Sequence, residues 1–168
     1  MIARLCVVFG ISHNLQRGFP FCSEEALSRF QRRLDILYGR YGFKCVIEEF
    51  NTDALNEAKI AETSVQLFAK RIGVEHSFCD PTAKERDELG IQSENSAKIN
   101  FEFSMNPTTT LEKIIFDAND KREKYWLEVV ERQAKFPLLF VCGENHINSF
   151  EKKLIGIGAC VCETSIFD

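Results

Sequence analysis

The chain has 168 residues, 45% of them hydrophobic and 27% charged, and a formal net charge of -4. A chain of this length suits one domain and is expected to bury roughly 70% of its unfolded surface in one core. Its mild acidity provides no basic patch, so neither a nucleic acid nor an anionic membrane is an expected partner. No apolar segment has the length of a membrane span, and the N-terminus lacks the features of a signal peptide, which predicts a cytoplasmic protein.

The cysteines point to the same compartment. There are seven of them, an odd number, and most lie inside apolar runs typical of strands. We therefore predict reduced thiols that pack in the core as small hydrophobic side chains. Cys160 and Cys162 share one face of a predicted strand, but no second cysteine pair accompanies them, so a zinc site there is not favoured.

The first half of the chain alternates apolar runs with helical periodicity. Short apolar runs predict strands at 5–9, 43–47 and 74–79. Apolar residues at helical spacing predict one helix after Ser23 and a second, capped by Thr52, that continues to residue 72. A short charged helix over 82–90 is also predicted.

The segment 91–110 has no clear periodicity. Stretches of this length in a compact domain are usually lids, binding loops or disordered segments, and we predict a lid or irregular insertion here. Phe101 and Phe103 alternate with polar residues, which leaves a short β-ribbon as an alternative.

The second half contains the longest predicted helix, over 111–130. Arg122 interrupts its apolar stripe and lies beside Tyr125 and Trp126, so it is either a cation–π contact or a charge held inward to meet an anion. The most apolar predicted strand follows at 138–142.

A glycine turn, a helix over 147–154 and a last strand complete the chain. This strand begins with the run 159–162 and reaches the C-terminus at residue 168. The alternation of strands and helices predicts an α/β fold: a mostly parallel sheet of about five strands flanked by helices, forming a single three-layer domain over 1–168.

Histidines and acids follow several of the predicted strands. His13, the acidic pair Glu48 and Glu49, Asp80 and His146 each lie within a few residues of a strand end. In parallel sheets these ends meet at one edge, where α/β folds keep their ligands. Adjacent residues in a strand point to opposite faces, so only one of the two glutamates can enter the crevice.

Each of these residues also has a plain structural interpretation when it is taken alone. His13 could be a loop histidine in solvent or at a helix cap, and the acidic pair a solvated strand end. His76, inside a predicted strand, is more simply structural. Four strand ends with such groups are less easily explained by chance.

Two imidazoles and a carboxylate suit a divalent transition metal, with His13, Glu48 and His146 as predicted ligands. Such a metal would supply hydroxide near neutral pH by lowering the pKa of bound water. Arg122 and Arg86 would then be candidates to hold a substrate anion or a developing oxyanion.

Positions around these groups suit substrate binding. Arg86 could clamp an anion or an oxyanion, and Asp80 and Asn145 are the other predicted substrate-binding residues. The chain lacks a phosphate-binding loop and a Gly-x-Ser-x-Gly elbow, which removes the main support for a kinase, NTPase or serine hydrolase.

Four motifs occur in an order that resembles the TraB/TIKI group, within the superfamily of erythromycin esterase and the haem-binding ChaN proteins. They are Gly10-Ile-Ser-His13, a strand-ending Glu, Arg122-Glu-Lys-Tyr-Trp126 and Val141-Cys-Gly143-Glu-Asn-His146.

The resemblance implies an α/β fold with a site at the strand ends and, for TIKI-like members, metal-dependent hydrolysis of peptides. By position, it also implies that His13, one of Glu48 and Glu49, and His146 are metal ligands or acid–base residues. The catalytic residues that we predict on this basis are Glu48, Glu49, His146 and, as the supporting arginine, Arg122. This chain is much shorter than typical members and lacks a membrane anchor. It also resembles a set of small bacterial proteins with a strand-end Asp-Pro followed by Glu-Arg, here Asp80-Pro81 and Glu85-Arg86.

Three functions are consistent with these observations. The first is a metal-dependent hydrolase acting on a small-molecule or peptide substrate. The second is a non-catalytic module for haem or another small ligand, with His13 or His146 as the anchoring group. The third is a protein-interaction domain, for which Phe101 and Phe103 could supply a partner surface.

Overall fold

The computed structural model describes residues 4–104 and 110–167. At its centre is a five-stranded sheet in the order β3-β2-β4-β1-β5, with every pairing parallel. The strands are β1 (Leu5–Gly10), β2 (Cys45–Glu48), β3 (Glu75–Phe78), β4 (Leu138–Cys142) and β5 (Cys160–Ile166). The predicted α/β fold with a parallel sheet of about five strands is confirmed.

Helices cover both faces of this sheet. In the described part of the chain they are α1 (His13–Arg17), α2 (Glu24–Tyr41), α3 (Thr52–Ala58), α4 (Ser64–Ile72), α5 (Ala83–Glu88), α6 (Glu94–Glu102), α7 (Leu111–Gln133) and α8 (Ile147–Gly156). On one face Val8 and Phe140 pack with residues of α7 and α8. On the other face Val7 and Phe9 pack with residues of α1, α2 and α4. Because side chains alternate along a strand, the central strands carry apolar residues that point to both faces, with Glu48 at the end of β2 as a buried exception.

The single helix predicted over 52–72 is wrong, because the structure has two helices there. Lys59 adopts a left-handed conformation with φ 55° and ends α3. Thr63 then caps α4, accepting a hydrogen bond from the first turn of that helix. The cap of α3 is Asn51 rather than Thr52. The apolar residues of α3 and α4 keep the spacing of one continuous helix across the break. For this reason the pattern did not indicate the C-cap at Lys59 or the N-cap at Thr63.

The segment 91–110 contains a helix rather than a ribbon. Ser93 caps α6, and Phe101 lies within its last turn, so the alternation with Phe103 does not form strands. The buried Ala97 faces inward, and α6 contacts α7. The part of the predicted lid at 105–109 lies outside the described residues.

The last strand is present as predicted and ends at Ile166. β5 pairs with β1 from Leu5 opposite Cys160 to Gly10 opposite Ile166, with a shift in register between Cys6 and Val7. As an edge strand, β5 leaves Cys160 and Cys162 exposed, so these two thiols are not in the core as predicted. The other cysteines are Cys6, Cys45, Cys79 and Cys142, which are buried, and Cys22, which is half-buried. Over the described ranges, no helix combines the length and the apolar character needed to cross a membrane.

Candidate functional site

The strand order places three functional segments side by side. β4 lies between β2 and β1, with Glu48 opposite Val141 and Gly10 opposite Cys142. The residues that come after these strands therefore emerge next to one another at the carboxyl edge of the sheet. A cavity of about 600 Å³ lies beyond this edge, and it is lined by α1, α3, α5, α7, the loops after β2 and β3, and residues around Ser93.

The two adjacent glutamates point to different surroundings. Glu48 is fully buried, and its Oε1 accepts hydrogen bonds from the Thr63 hydroxyl and from His76 Nε2, at 2.7 Å for the imidazole. Its Oε2 accepts a bond of 3.1 Å from Gln16 Nε2. Both oxygens of Glu48 are thus engaged away from the cavity. This network also gives His76 the structural role predicted for it.

Glu49 is the acid that lies at the cavity. Its Oε1 accepts a 2.6 Å hydrogen bond from Arg122, and its Oε2 accepts one of 2.7 Å from the backbone N–H of Gly143. The Nε2 atoms of His146 and His13 lie 3.7 Å and 4.0 Å from Oε1. These two separations are longer than hydrogen bonds, so neither imidazole is hydrogen-bonded to the Glu49 carboxylate.

The protonated nitrogen of His13 is set by its neighbour Gln16, which is fully buried. The Gln16 amide donates to Glu48 Oε2 and to the Glu49 carbonyl oxygen, both at 3.1 Å. Its Oε1 must therefore face His13 Nδ1, 2.6 Å away, and can only accept there. In the neutral ring this assigns the proton to Nδ1 and leaves the lone pair of Nε2 beside Glu49.

His146 is oriented in the same way by Glu123. The carboxylate of Glu123 lies 2.9 Å from His146 Nδ1 and accepts further bonds from the Ser149 hydroxyl and the Lys153 ammonium. Burial alone would raise the pKa of Glu123, but the hydrogen bonds from His146, Lys153 and Ser149 outweigh it and hold this pKa below its ordinary value. Because Glu123 is ionised and only accepts, neutral His146 carries its proton on Nδ1 and presents the lone pair of Nε2 to Glu49.

Asp80 binds two arginines in the lining of the cavity. Its Oδ1 accepts from Arg122 Nε at 2.9 Å and from Trp126 Nε1 at 3.1 Å, and its Oδ2 accepts from Arg86 and from Asn51 Nδ2. The Cζ atom of Arg122 also lies 5.2 Å from the centroid of the Trp126 ring. Arg122 therefore makes the cation–π contact and also holds its charge inward, so the two interpretations of this arginine do not exclude each other. With its oxygens occupied, Asp80 acts in this structure as a support for two arginines.

The predicted residues divide into two groups. Of the described residues, those that line the cavity include His13, Glu49, Asp80, Arg86 and Arg122. His146 is only 8% exposed and lies behind Glu49. Asn145 is exposed in the 3₁₀ turn Glu144–His146 and does not line the cavity.

Three supporting residues were missed by sequence reasoning. The sequence spacing could have indicated two of them. Gln16 lies three residues after His13, within reach of it on a helix. Glu123 lies three residues before Trp126, on the inward side of the predicted helix. Thr63 gave no signal, since its role depends on the unexpected break between α3 and α4.

The structure does not supply the ligand set that the metal prediction requires. Among the described residues, no group of three or more His, Cys, Asp or Glu side chains is arranged to hold a metal ion. Glu48 does not join His13 and His146, because its oxygens are bonded elsewhere. Glu49 Oε1, which does face both rings, already receives the Arg122 guanidinium, whose charge opposes a cation at that oxygen. As they stand, these donors do not fit a metal.

Comparisons with protein families, with curated proteins and with solved structures found no match to this chain. The resemblance to the TraB/TIKI group therefore stays a prediction that rests on the four motifs.

Proposed function

We propose that this protein is a hydrolase in which His13 acts as the general base. The observation that carries the proposal is the pair of imidazoles whose Nδ1 atoms are bonded to Gln16 and Glu123, with both Nε2 atoms beside Glu49 Oε1. The His13 side chain is 52% exposed and lines the cavity, so it can meet a substrate.

The surroundings of His13 suit the activation of water. The carboxylate of Glu49 beside its Nε2 is a hydrogen-bond acceptor, which favours a molecule that donates protons, and water can donate two. In the proposed reaction, Nε2 takes one proton while the water oxygen attacks the acyl or phosphoryl centre. The imidazolium then returns the proton to the leaving group. A positioned general base contributes typically about 10² to 10⁴ in rate.

Glu49 supports this step as a fixed negative charge. Glu49 accepts hydrogen bonds from Arg122 and from the Gly143 N–H, and its Oε1 lies 4.0 Å from His13 Nε2, where it is proposed to stabilise the positive charge that develops on the ring during proton transfer. His146, on the other side of the same oxygen, is proposed to share the proton. Arg86 is more exposed than Arg122, with 27% against 16% of its side chain accessible, and is proposed to face the developing oxyanion.

The test is a hydrolysis screen with nitrophenyl esters, nitroanilides and nitrophenyl phosphodiesters. We expect turnover in at least one class and a fall of about 100-fold or more in kcat/KM for His13→Ala. Asn145→Ala is the matched control, because Asn145 is exposed near the site but outside the cavity lining. Turnover in no class, or equal turnover by His13→Ala and the wild type, would contradict the proposal.

A metal-dependent form of the same function is separated by two measurements. Hydrolysis that survives a chelator supports imidazole catalysis without a metal. Loss of activity with a chelator, restored by manganese, cobalt or zinc, would instead support the metal prediction. Calorimetric titration with these ions should then show about one site per chain, lost in His146→Ala.

Ligand binding without turnover is the second candidate. The cavity of about 600 Å³ is within the range of small-molecule sites, roughly 300 to 1,000 Å³. Saturable binding of a small ligand with no hydrolysis would favour this candidate, and a new Soret band after haem addition would identify its haem form.

A further inference from the structure

Arg17 is the cavity arginine whose charge has no partner among the described residues. The guanidinium groups of Arg86 and Arg122 are paired with Asp80, and Arg122 also with Glu49. Within residues 4–104 and 110–167, Arg17 makes neither an ion pair nor a side-chain hydrogen bond, and its Nε is enclosed without an acceptor. A cation left unpaired at a cavity wall favours an anion from outside the protein.

The position of Arg17 relates it to His13. The two residues are the first and last of α1, four positions apart, and both line the cavity. Residues at this spacing lie on one helix face with their Cβ atoms about 6 Å apart. The Cζ atom of Arg17 also lies 5.5 Å from the centroid of the Phe21 ring, so a cation–π contact helps to hold the guanidinium in place.

The remaining charges limit what kind of anion can enter. The cluster of Glu49, Asp80, Arg86 and Arg122 balances its own charges. Besides Arg17, the lining also carries three acids outside this cluster: Asp53, Glu57 and Asp87. These acids repel a molecule with many negative charges. A molecule with a single oxyanion beside Arg17, and otherwise neutral or cationic, is compatible with both Arg17 and the acids of the lining.

We infer that the substrate is an ester or amide with one oxyanion, a carboxylate or a phosphate, a few bonds from the cleaved linkage, and that Arg17 binds this oxyanion. The cleaved linkage would lie at His13 and the oxyanion one helical turn away. The inference rests on the proposed function for the cleaved linkage, but anion binding can be measured without turnover.

The binding test uses NMR of the histidine ring protons, a simple spectrum because the chain has three histidines. The probes are N-benzoylglycine, its uncharged amide and phenyl phosphate, at matched ionic strength. We expect saturable shifts of the His13 signals with N-benzoylglycine and not with the amide. Phenyl phosphate distinguishes the two oxyanions: tighter binding of the carboxylate or of the phosphate identifies the group used.

Arg17→Gln should weaken binding of the anionic probe about tenfold or more, since a hydrogen bond to a charged group is typically worth at least that factor. Arg17→Lys, which keeps the charge, should recover part of the affinity. Arg32→Gln is the matched control, because Arg32 is an exposed arginine on α2 outside the cavity lining. The inference is overturned if Arg17→Gln binds like the wild type, or if no anionic probe binds saturably.

The hydrolysis assay separates this inference from the proposed function. If the protein hydrolyses a carboxylate-bearing ester no better than its neutral counterpart, and Arg17→Gln leaves both rates unchanged, Arg17 is not the anion site although the hydrolase proposal stands. If anion binding depends on Arg17 but no substrate is cleaved, the anion site stands and the hydrolase proposal fails.

Discussion

Gly143 leaves open the space between the Glu49 carboxylate and the His13 ring. A Cβ atom added there would lie 3.4 Å from Glu49 Oε2 and 3.6 Å from His13 Nε2, both ordinary contact distances. The backbone of Gly143 has φ -64°, which any residue adopts. We therefore expect Gly143→Ala to keep or slightly raise the free energy of unfolding, by up to about 1 kcal/mol, measured in urea.

The same substitution should lower kcat/KM for hydrolysis at least tenfold, because the new methyl group occupies the space proposed for the attacking water. Gly156→Ala is the control, since a Cβ atom there meets nothing within 4 Å. Wild-type turnover by Gly143→Ala would show that the reaction does not use this space.

Glu123 makes the stability of the protein depend on acid pH. Its pKa is lowered in the folded state, so the unfolded chain binds the proton more readily. The stability from this lowered pKa is fully present above the ordinary carboxyl pKa of about 4.3 and is lost as the pH falls through the lower folded value. We expect Glu123→Gln to flatten this part of the pH dependence.

The measurement is the free energy of unfolding in urea at several pH values from 7 down to 3, for wild type and Glu123→Gln. The difference between the two should be largest near neutral pH and shrink in acid. Glu128→Gln, an exposed acid on the same helix, is the control. Curves for wild type and Glu123→Gln that stay parallel throughout would contradict the role assigned to Glu123.

The break between α3 and α4 connects a helix end to the buried acid of the sheet. Thr63 Oγ1 accepts a 2.9 Å bond from the Gln66 N–H and donates to Glu48. Thr63→Ala removes a helix cap, worth about 1 kcal/mol, and a hydrogen bond to a buried charge, worth about 1.5 to 3 kcal/mol. Urea unfolding should therefore show a loss of about 2.5 to 4 kcal/mol.

Thr63→Ser keeps the hydroxyl and should lose much less stability than Thr63→Ala. If alanine and serine variants are equally stable, the hydroxyl does not support Glu48 and the break has another cause.

Elements whose pattern reflects their burial were predictable from the sequence. The run 138–142 is apolar at every position because β4 is covered on both faces, and this periodicity identified it. The ends of α3 and α4 were not predictable in the same way. The caps at Lys59 and Thr63 depend on the backbone conformation of single residues, which the spacing of apolar residues does not indicate.

The site was predictable in position but not in detail. Strand ends located His13, the acidic pair and His146, because the loops after parallel strands all begin at one edge of the sheet. Which glutamate faces the cavity depends on the tertiary contacts of Glu48. The same holds for Gln16, whose amide links His13 on α1 to the Glu48 carboxylate and the Glu49 backbone carbonyl at the end of β2.

At the scale of the whole molecule, the strand order is what gathers the site. With β4 between β1 and β2, the segments bearing His13, His146 and Glu49 come directly after three adjacent strands although they are far apart along the chain. A sequence specifies that these strands are parallel more readily than it specifies their order. Nothing in the motifs alone places His146 between the other two segments.

The central claim is that His13 and His146 act at one centre, and a double-variant cycle tests it most directly. On the best substrate of the screen, kcat/KM is measured for His13→Ala, His146→Ala and the double variant, each checked for folding by circular dichroism. Groups that act as a unit give strongly non-additive losses. We predict about 100-fold or more for each single variant and no more than a few-fold further loss in the double variant. Losses that multiply, or a His146→Ala variant with wild-type activity, would contradict the claim.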